Sequence, residues 1–377
     1  MKKICIITTV HPPLDTRIFY REACSLAKKY EVVLIAPTEK DFEKGGVKIK
    51  ALGLVGNRLQ RLMKGTTALK FALRTDADTY HFHDPELIPV GFIIKLLTKK
   101  PVIYDIHENN PEYILDKEWI PSSSLKKAIS FCVGIIENWA ARILSGVIVV
   151  NDQLLKRFKK FNNNTELVRN FPNKDYGEGF SETHVNKREK IVLFVGGIEK
   201  ERGVIKILEF VKRFPNYGLK FLFIGQVKGE KLKNEIATFI KKNNISELAF
   251  EIKPPVPHEE VPKYLNKAFI GIIPFLKTRN NYLGTPLKTF EYMAYGLPIV
   301  ASDFLFLGRV IRDSQSGLLI KNPENIGEYK MAFDKILRSS NLWERYSANG
   351  RKAFIEKYNW EKEEKKLFDL YEKILEG

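Results

Sequence analysis

The sequence predicts an α/β protein built from two doubly wound domains, and three observations carry that expectation. Apolar, strand-like runs alternate with helical periodicity along the chain, the pattern of parallel strands joined by crossover helices. The pattern halts near residue 162 and restarts at residue 190, so it is made twice. A chain of 377 residues also exceeds what one ordinary core organises and suits two domains of common size.

In the first half, strands are expected at Lys3–Thr9, Glu31–Ala36, Val47–Leu52, Thr79–His83, Val102–Ile106 and Val147–Val150. In the second they are expected at Lys190–Val195, Leu219–Ile224, Ala249–Ile252, Phe269–Ile273, Ile299–Ser302 and Leu318–Ile320. Several are apolar throughout, as strands covered on both faces must be. Asn162–Lys190 is rich in Asn, Lys, Gly and Glu and lacks periodicity, which places the connection there. The domains are accordingly drawn at 1–170 and 188–358. The stretch Trp360–Leu375 reads as a charged helix with Leu367, Leu370 and Ile374 on one side, able to close either domain.

Composition narrows the class. With 44% hydrophobic and 28% charged residues the chain is globular rather than disordered. A net charge of +17 points to an anionic partner, whether nucleic acid, an acidic membrane face or a phosphorylated substrate. Lysines in helix-like stretches, such as Lys231 with Lys233 or Lys362 to Lys366, also suit a solvated face. Cys5, Cys24 and Cys132 are too widely spaced for a disulfide framework or zinc knuckle, and Cys5 is expected as a buried thiol. Met1 leads straight into a strand, leaving no room for a signal peptide, and the apolar stretch Ala128–Ile136 falls short of the ~20 residues of a bilayer span. A cytoplasmic location, or one on the inner face of the cell membrane, is expected.

The first strand runs into Val10-His11-Pro12-Pro13-Leu14-Asp15-Thr16-Arg17, then a helix to Lys29 with Phe19, Ala23, Leu26 and Ala27 on its apolar face. The glycines of a dinucleotide fingerprint are missing here, which argues against a nicotinamide or flavin dehydrogenase. Asp15 alone would be a helix cap. His11 and Arg17, however, flank a proline-stiffened turn at the carboxyl end of a strand, where open α/β sheets bind ligands. His81 and His83 end a second strand, on one face by alternation, and His107 with Glu108 follows a third. His81, His83 and His107 also begin a metal-ligand set, so a metal-dependent hydrolase is a rival reading.

In the second half, Gly196-Gly197 lets a backbone approach a ligand closely, and Arg202-Gly203 at a helix start attracts phosphate. Gly284 leads to Thr285, expected as helix cap, and Pro286 as first helical residue, with Leu287, Phe290 and Ala294 facing the core. Gly296 and Pro298 end that helix. Lys288 and Glu291 stand one turn apart. They form either a surface ion pair worth ~0.3–0.5 kcal/mol, or a site in which Lys288 meets phosphate and Glu291 the ribose hydroxyls.

Over the motifs His11–Phe19, His81–Asp84 and Lys288–Pro298 the chain resembles glycosyltransferase family 4, and the resemblance extends along nearly its whole length. It implies the GT-B fold, two facing Rossmann-like domains with the last helix crossing back to the first. It implies a retaining transfer from a UDP- or GDP-sugar, held mainly by the C-terminal domain, to a glycan or lipid-linked acceptor at the N-terminal one, without metal or other cofactor. By the same resemblance Glu291 binds ribose, Arg202 with Gly203 contacts the diphosphate, and His83 lies beside the transferred sugar. The catalytic residues expected are His83, Arg202 and Lys288. The donor site comprises Gly196, Gly197, Arg202, Gly284, Thr285, Pro286, Leu287, Lys288 and Glu291, and the acceptor side His11, Asp15, Arg17, His81, His107 and Glu108. Two positions depart from the family pattern: Leu283 stands where a first glutamate would hold the sugar, and Ile198 where an arginine often follows the glycine turn.

Besides the hydrolase, the rivals are a GT-B nucleotide-sugar epimerase and a nucleic-acid-binding protein. The last is motivated by charge alone and lacks any recognition motif, so no nucleic acid is expected. Basic residues beside apolar ones, at Asn57–Lys64, Lys70, Phe71 and Arg74 and at Lys126-Lys127 before Ala128–Ile136, suit docking on an anionic membrane. The competing reading makes Leu59, Leu62, Leu69 and Phe71 core residues.

Overall fold

The computed structural model describes residues 1–54, 58–115, 117, 120–180, 188–278, 281–282, 284 and 286–376, with backbone alone for Arg58, Leu59, Arg61 and Leu62. The chain divides into two compact units, Met1–Asn170 with Trp360–Gly377, and Phe171–Asn359.

Unit one holds β1 (Lys3–Ile7), β2 (Glu31–Ala36), β3 (Phe42–Lys44), β4 (Val47–Ala51), β5 (Thr79–Phe82), β6 (Val102–Ile106), β7 (Gly146–Val149) and β8 (Thr165–Leu167). They form one sheet in the order β3-β4-β2-β1-β5-β6-β7-β8. Every neighbouring pair is parallel except β3 with β4. The crossovers are α1 (Cys24–Leu26, continuing a π-helical Ile18–Ala23), α2 (Arg58–Thr75), α3 (Ile88–Thr98), α4 (Asn110–Leu115), α5 (Ser123–Ile143) and α6 (Asp152–Phe158). Residues 4–7, 79–82, 102–106 and 146–149 are wholly buried, which is why those strands are legible as apolar runs. Strand β3 is an exposed three-residue edge reached through Gly45 and Gly46, both at positive φ (58° and 76°), a hairpin that periodicity does not announce. Strand β8 lies inside the stretch read as a connection, because three residues are too few to show a period.

Unit two holds β9 (Ile191–Val195), β10 (Lys220–Ile224), β11 (Phe250–Lys253), β12 (Ile270–Ile273), β13 (Ile299–Ser302) and β14 (Gly317–Ile320) in an all-parallel sheet ordered β11-β10-β9-β12-β13-β14. Its helices are α7 (Val204–Arg213), α8 (Glu230–Lys242), α9 (Val261–Lys267), α10 (Lys288–Ala294), α11 (Leu305–Ser314), α12 (Ile326–Leu337) and α13 (Ser340–Glu356). Helix α10 starts at Lys288 with Leu287 as its cap, not at Pro286: the Pro286 carbonyl accepts the Thr289 N–H at 3.0 Å, a tighter turn that delays the helix by two residues. Thr285, expected as the cap, and Leu283 lie outside the described residues.

A last helix, α14 (Trp360–Glu376), returns to unit one. Its Trp360, Leu367, Leu370, Tyr371 and Ile374 share a core cluster with Ile4, Ile6, Ile103 and Ile148. Apart from the edge hairpin of β3 with β4, the strand order in each sheet runs outward in both directions from the first strand, reversing between β1 and β5 and between β9 and β12. Loops leaving the carboxyl ends there diverge, and the crevice between them is where such sheets bind ligands.

Candidate active site

In unit two the reversal lies at the ends of β9 and β12. Strand β9 ends at Val195, and Gly196 follows at φ 120°, where a Cβ would come within 3.3 Å of the Lys288 ammonium. Gly203, at φ 80°, has no room for a side chain: a Cβ there would meet the Pro274 carbonyl oxygen at 1.9 Å, so α7 begins pressed against the chain leaving β12. Tyr292 fixes α10 to β9, its hydroxyl accepting the Val195 N–H at 3.2 Å and donating to the Leu193 carbonyl at 3.1 Å.

These contacts place Lys288. It is 6% exposed, and Nζ sits 3.6 Å over the Phe194 ring and 5.2 Å from that of Phe275, with no hydrogen-bond partner among the described residues. Burial first, then the nearby Arg202, holds its pKa well below the usual lysine range, against the pull of Glu291 and Glu199. The surface ion pair is thus replaced by a buried amine facing a glycine turn. Arg202 lies 3.5 Å from Glu199, which also pairs with Lys228 at 2.6 Å. Burial would raise the Glu199 carboxyl, yet Lys228, Arg202 and Lys288 together lower it. Gly196, Gly197, Arg202 and Lys288 therefore meet at one place, with Glu291 one turn along α10. Gly284, Pro286 and Leu287 form the half-buried approach to that helix. Ile198, 1% exposed, is turned into the core and offers nothing to a ligand.

In unit one the reversal lies between β1 and β5. Asp84, just past β5, accepts hydrogen bonds from the Thr8 hydroxyl (2.8 Å) and the Thr9 and Val10 N–H groups (2.6 and 3.2 Å), pinning the turn that carries His11. Asp15 accepts the N–H groups of Arg17 and Ile18 at 2.8 and 2.9 Å and lies 3.6 Å from His11. Burial would raise its carboxyl, but His11 and those two N–H groups bring it down to about 2. His11 itself is raised: Asp15, Asp84 and Asp105 outweigh its burial.

Arg17 and His81, expected on the acceptor side, turn inward. Arg17 pairs with Asp105 and Glu22, both at 2.9 Å, and donates to the Val168 carbonyl at 3.0 Å. His81 Nδ1 meets the Tyr371 hydroxyl at 2.8 Å, and its ring lies 4.5 Å from that of His83, on the same face. His83 is also enclosed, with Nδ1 3.1 Å from His107 Nε2. Burial, then His81, drives the His83 pKa well down, and burial takes His81 to about 4. His11 and His107 are the partly exposed histidines of the group, with Glu108 exposed beside them.

Glu22, His81, His83 and Asp105 offer ligand atoms within 4.8 Å of one another, a set that could hold a metal and does not include His107. The Arg17 guanidinium, however, already supplies positive charge to both carboxylates. Sequence reasoning missed Glu22, Asp105 and Tyr371 here, and in unit two Lys228 and Tyr176, whose buried hydroxyl lies in the field of Glu291. Glu22 follows Arg21 on a helix and reads as an ordinary charged residue. Asp105, an acid inside an apolar strand, was the one available signal.

Solved structures share this architecture. Sucrose-phosphate synthase from Thermosynechococcus elongatus aligns over 100% of both chains with a TM-score of 0.75 at 15% identity. HepE from Anabaena, crystallised with UDP-glucose, aligns over 99% of this chain and 100% of its own with a TM-score of 0.70 at 13% identity. The fold is GT-B. Residues 177–353 match the model of the glycosyl transferases group 1 family, so the chain is a GT-B glycosyltransferase homologue whose second unit is a group 1 domain, consistent with the resemblance to family 4. An uncharacterized glycosyltransferase of Methanocaldococcus jannaschii is 27% identical over 184 residues, 48% of each chain. The chain spans about half the length of the first curated relatives it matches.

Proposed function

We propose that the protein transfers a sugar, with retention, from a nucleotide-sugar to a glycan or lipid-linked acceptor, and that unit two binds the nucleoside diphosphate. The observation that carries this is Lys288. A buried ammonium with no hydrogen-bond partner is costly unless an anion completes it. Beside it stand a glycine turn and Arg202, the surroundings a diphosphate requires. As the glycosidic bond breaks, charge grows on the leaving phosphate. Preorganised Lys288 and Arg202 stabilise that charge more in the transition state than in the ground state. Glu291 accepts the ribose hydroxyls. In unit one, His107 and His11 meet the acceptor side, and His83 positions His107 from behind. Retention rests on the family resemblance, and the complex of HepE with UDP-glucose makes a UDP-sugar the donor to try first, ahead of a GDP-sugar.

No metal enters this mechanism, since Lys288 and Arg202 carry the phosphate charge. Calorimetric titration with UDP and GDP after exhaustive chelation tests it. One of them binds with unchanged affinity when chelator is present. Binding or turnover that needs zinc or manganese restored would favour the cluster of Glu22, His81, His83 and Asp105, and with it the hydrolase.

A further inference from the structure

We propose that the outward face of α3 and α5 is a docking surface for an anionic lipid bilayer; this gives the lipid-linked acceptor of the reading above its place, but the surface stands on observations of its own. Helix α5 is turned inside out. Its outer positions recur every three or four residues as Ala128, Phe131, Cys132, Ile135, Ile136 and Trp139, with Phe131 70%, Ile135 52% and Trp139 46% exposed. Its fully buried positions, Glu137, Ala140 and Ala141, are small or polar. The Ser130 hydroxyl donates to the Pro111 carbonyl at 2.7 Å, and Glu137, fully buried, accepts from Asn110 at 2.7 Å and pairs with Arg157 at 2.9 Å. Those bonds fix the roll of the helix, so the apolar stripe cannot turn inward without stranding a buried carboxylate.

Helix α3 is apolar on both faces. Leu87, Val90, Gly91 and Ile94 face the core, while Ile93, Leu96 and Leu97 face out, Leu96 being 66% exposed. Phe92 against Trp139, with ring centroids 5.2 Å apart, joins the two stripes. The exposed charge on the two helices and on the turn after α3 is positive, with Lys100 paired to Asp78 at 3.7 Å. Lys99, Lys100, Lys127 and Arg142 are exposed at the rim, and the sole acidic residue of the two helices is the buried Glu137. An apolar face rimmed by cations matches an anionic headgroup layer. Against a second copy of the same face it sets cation against cation. The surface also differs from that expected on α2, where Leu69 and Phe71 pack against the core and the side chains of Arg58, Leu59, Arg61 and Leu62 lie outside the described residues.

The test is sedimentation of the full chain with vesicles of phosphatidylcholine, with and without phosphatidylglycerol. Binding to the anionic vesicles, weakened by salt, is expected, together with a drop of about tenfold for Phe131→Ser with Ile135→Ser and for Lys99→Glu with Lys127→Glu. Circular dichroism and UDP titration on the same samples report the fold and the nucleotide site. Variants that sediment like the parent, absence of binding to anionic vesicles, or a solution dimer dissolved by Phe131→Ser with Ile135→Ser would each overturn the proposal. Nucleotide binding without vesicle binding sinks the docking surface alone. Vesicle binding without nucleotide binding keeps the surface and sinks the transferase reading.

Discussion

Lys288 carries opposite demands in the free and liganded protein. In the free protein its folded pKa lies below the unfolded value, so the unfolded chain binds more protons and stability rises with pH up to the ordinary lysine range. Lys288→Met should therefore leave the free protein at least as stable near neutral pH, an advantage that shrinks as pH rises. A diphosphate reverses the preference and favours the ammonium. At a pH above the folded Lys288 pKa, UDP binding should take up protons, seen as a binding enthalpy that changes with the ionisation enthalpy of the buffer. Lys288→Met should abolish that uptake and weaken binding by about 1.5–3 kcal/mol. A buffer-independent enthalpy in the parent protein would assign the phosphate to other groups. Glu291→Gln should keep the fold and lower UDP affinity by about one to two decades, because an amide is a weaker acceptor for ribose hydroxyls. An unchanged titration curve would remove Glu291 from the site. Neither the burial of Lys288 nor its lack of partners was legible in the sequence, where a lysine three residues before a glutamate looks like a solvated pair. Its distance from bulk water depends on Phe194 and Phe275, supplied by other segments.

At the scale of elements, α14 completes a unit that the rest of the chain leaves open. It lays five large side chains against the sheet of unit one and supplies Tyr371 to His81 and, through Trp360 Nε1, a hydrogen bond to Ser25 at 2.9 Å. Burying such side chains contributes about 1.5–3 kcal/mol each, a sum comparable to the whole stability of a domain. Ending the chain after Asn359 should abolish cooperative unfolding of unit one while the circular dichroism signature of unit two persists. Retained cooperativity would mean that the helix is an accessory. The sequence showed Leu367, Leu370 and Ile374 on one side of this helix but not their destination. Periodicity identifies a face and not its neighbour. The same limit explains the acidic pair: Asp105 and Glu22 are recognisable as partners of Arg17 only once β6 lies beside the first helix. By contrast His81 and His83 could be placed on one face, since a strand's two-residue period fixes that locally.

At the scale of the molecule, two sheets that both reverse beside their first strand each own a core, and the proposed nucleotide site belongs to one of them. Calorimetric unfolding should show two transitions. UDP at about a hundred times its dissociation constant should add about 2.7 kcal/mol to the one belonging to unit two and leave the other in place. A single transition moved as a whole would show the units to unfold together. The returning helix has one more consequence, and it concerns the ribosome. Residues 171–359 leave the exit tunnel before Trp360, so the later-encoded unit has all its parts first. Ile4, Ile6, Ile103 and Ile148 are made well before Trp360, Leu367, Leu370, Tyr371 and Ile374, which cover them. Until Trp360–Glu376 emerges, the nascent chain therefore presents an apolar sheet face that chaperones can hold, and translation stopped before Trp360 yields one finished unit and one exposed.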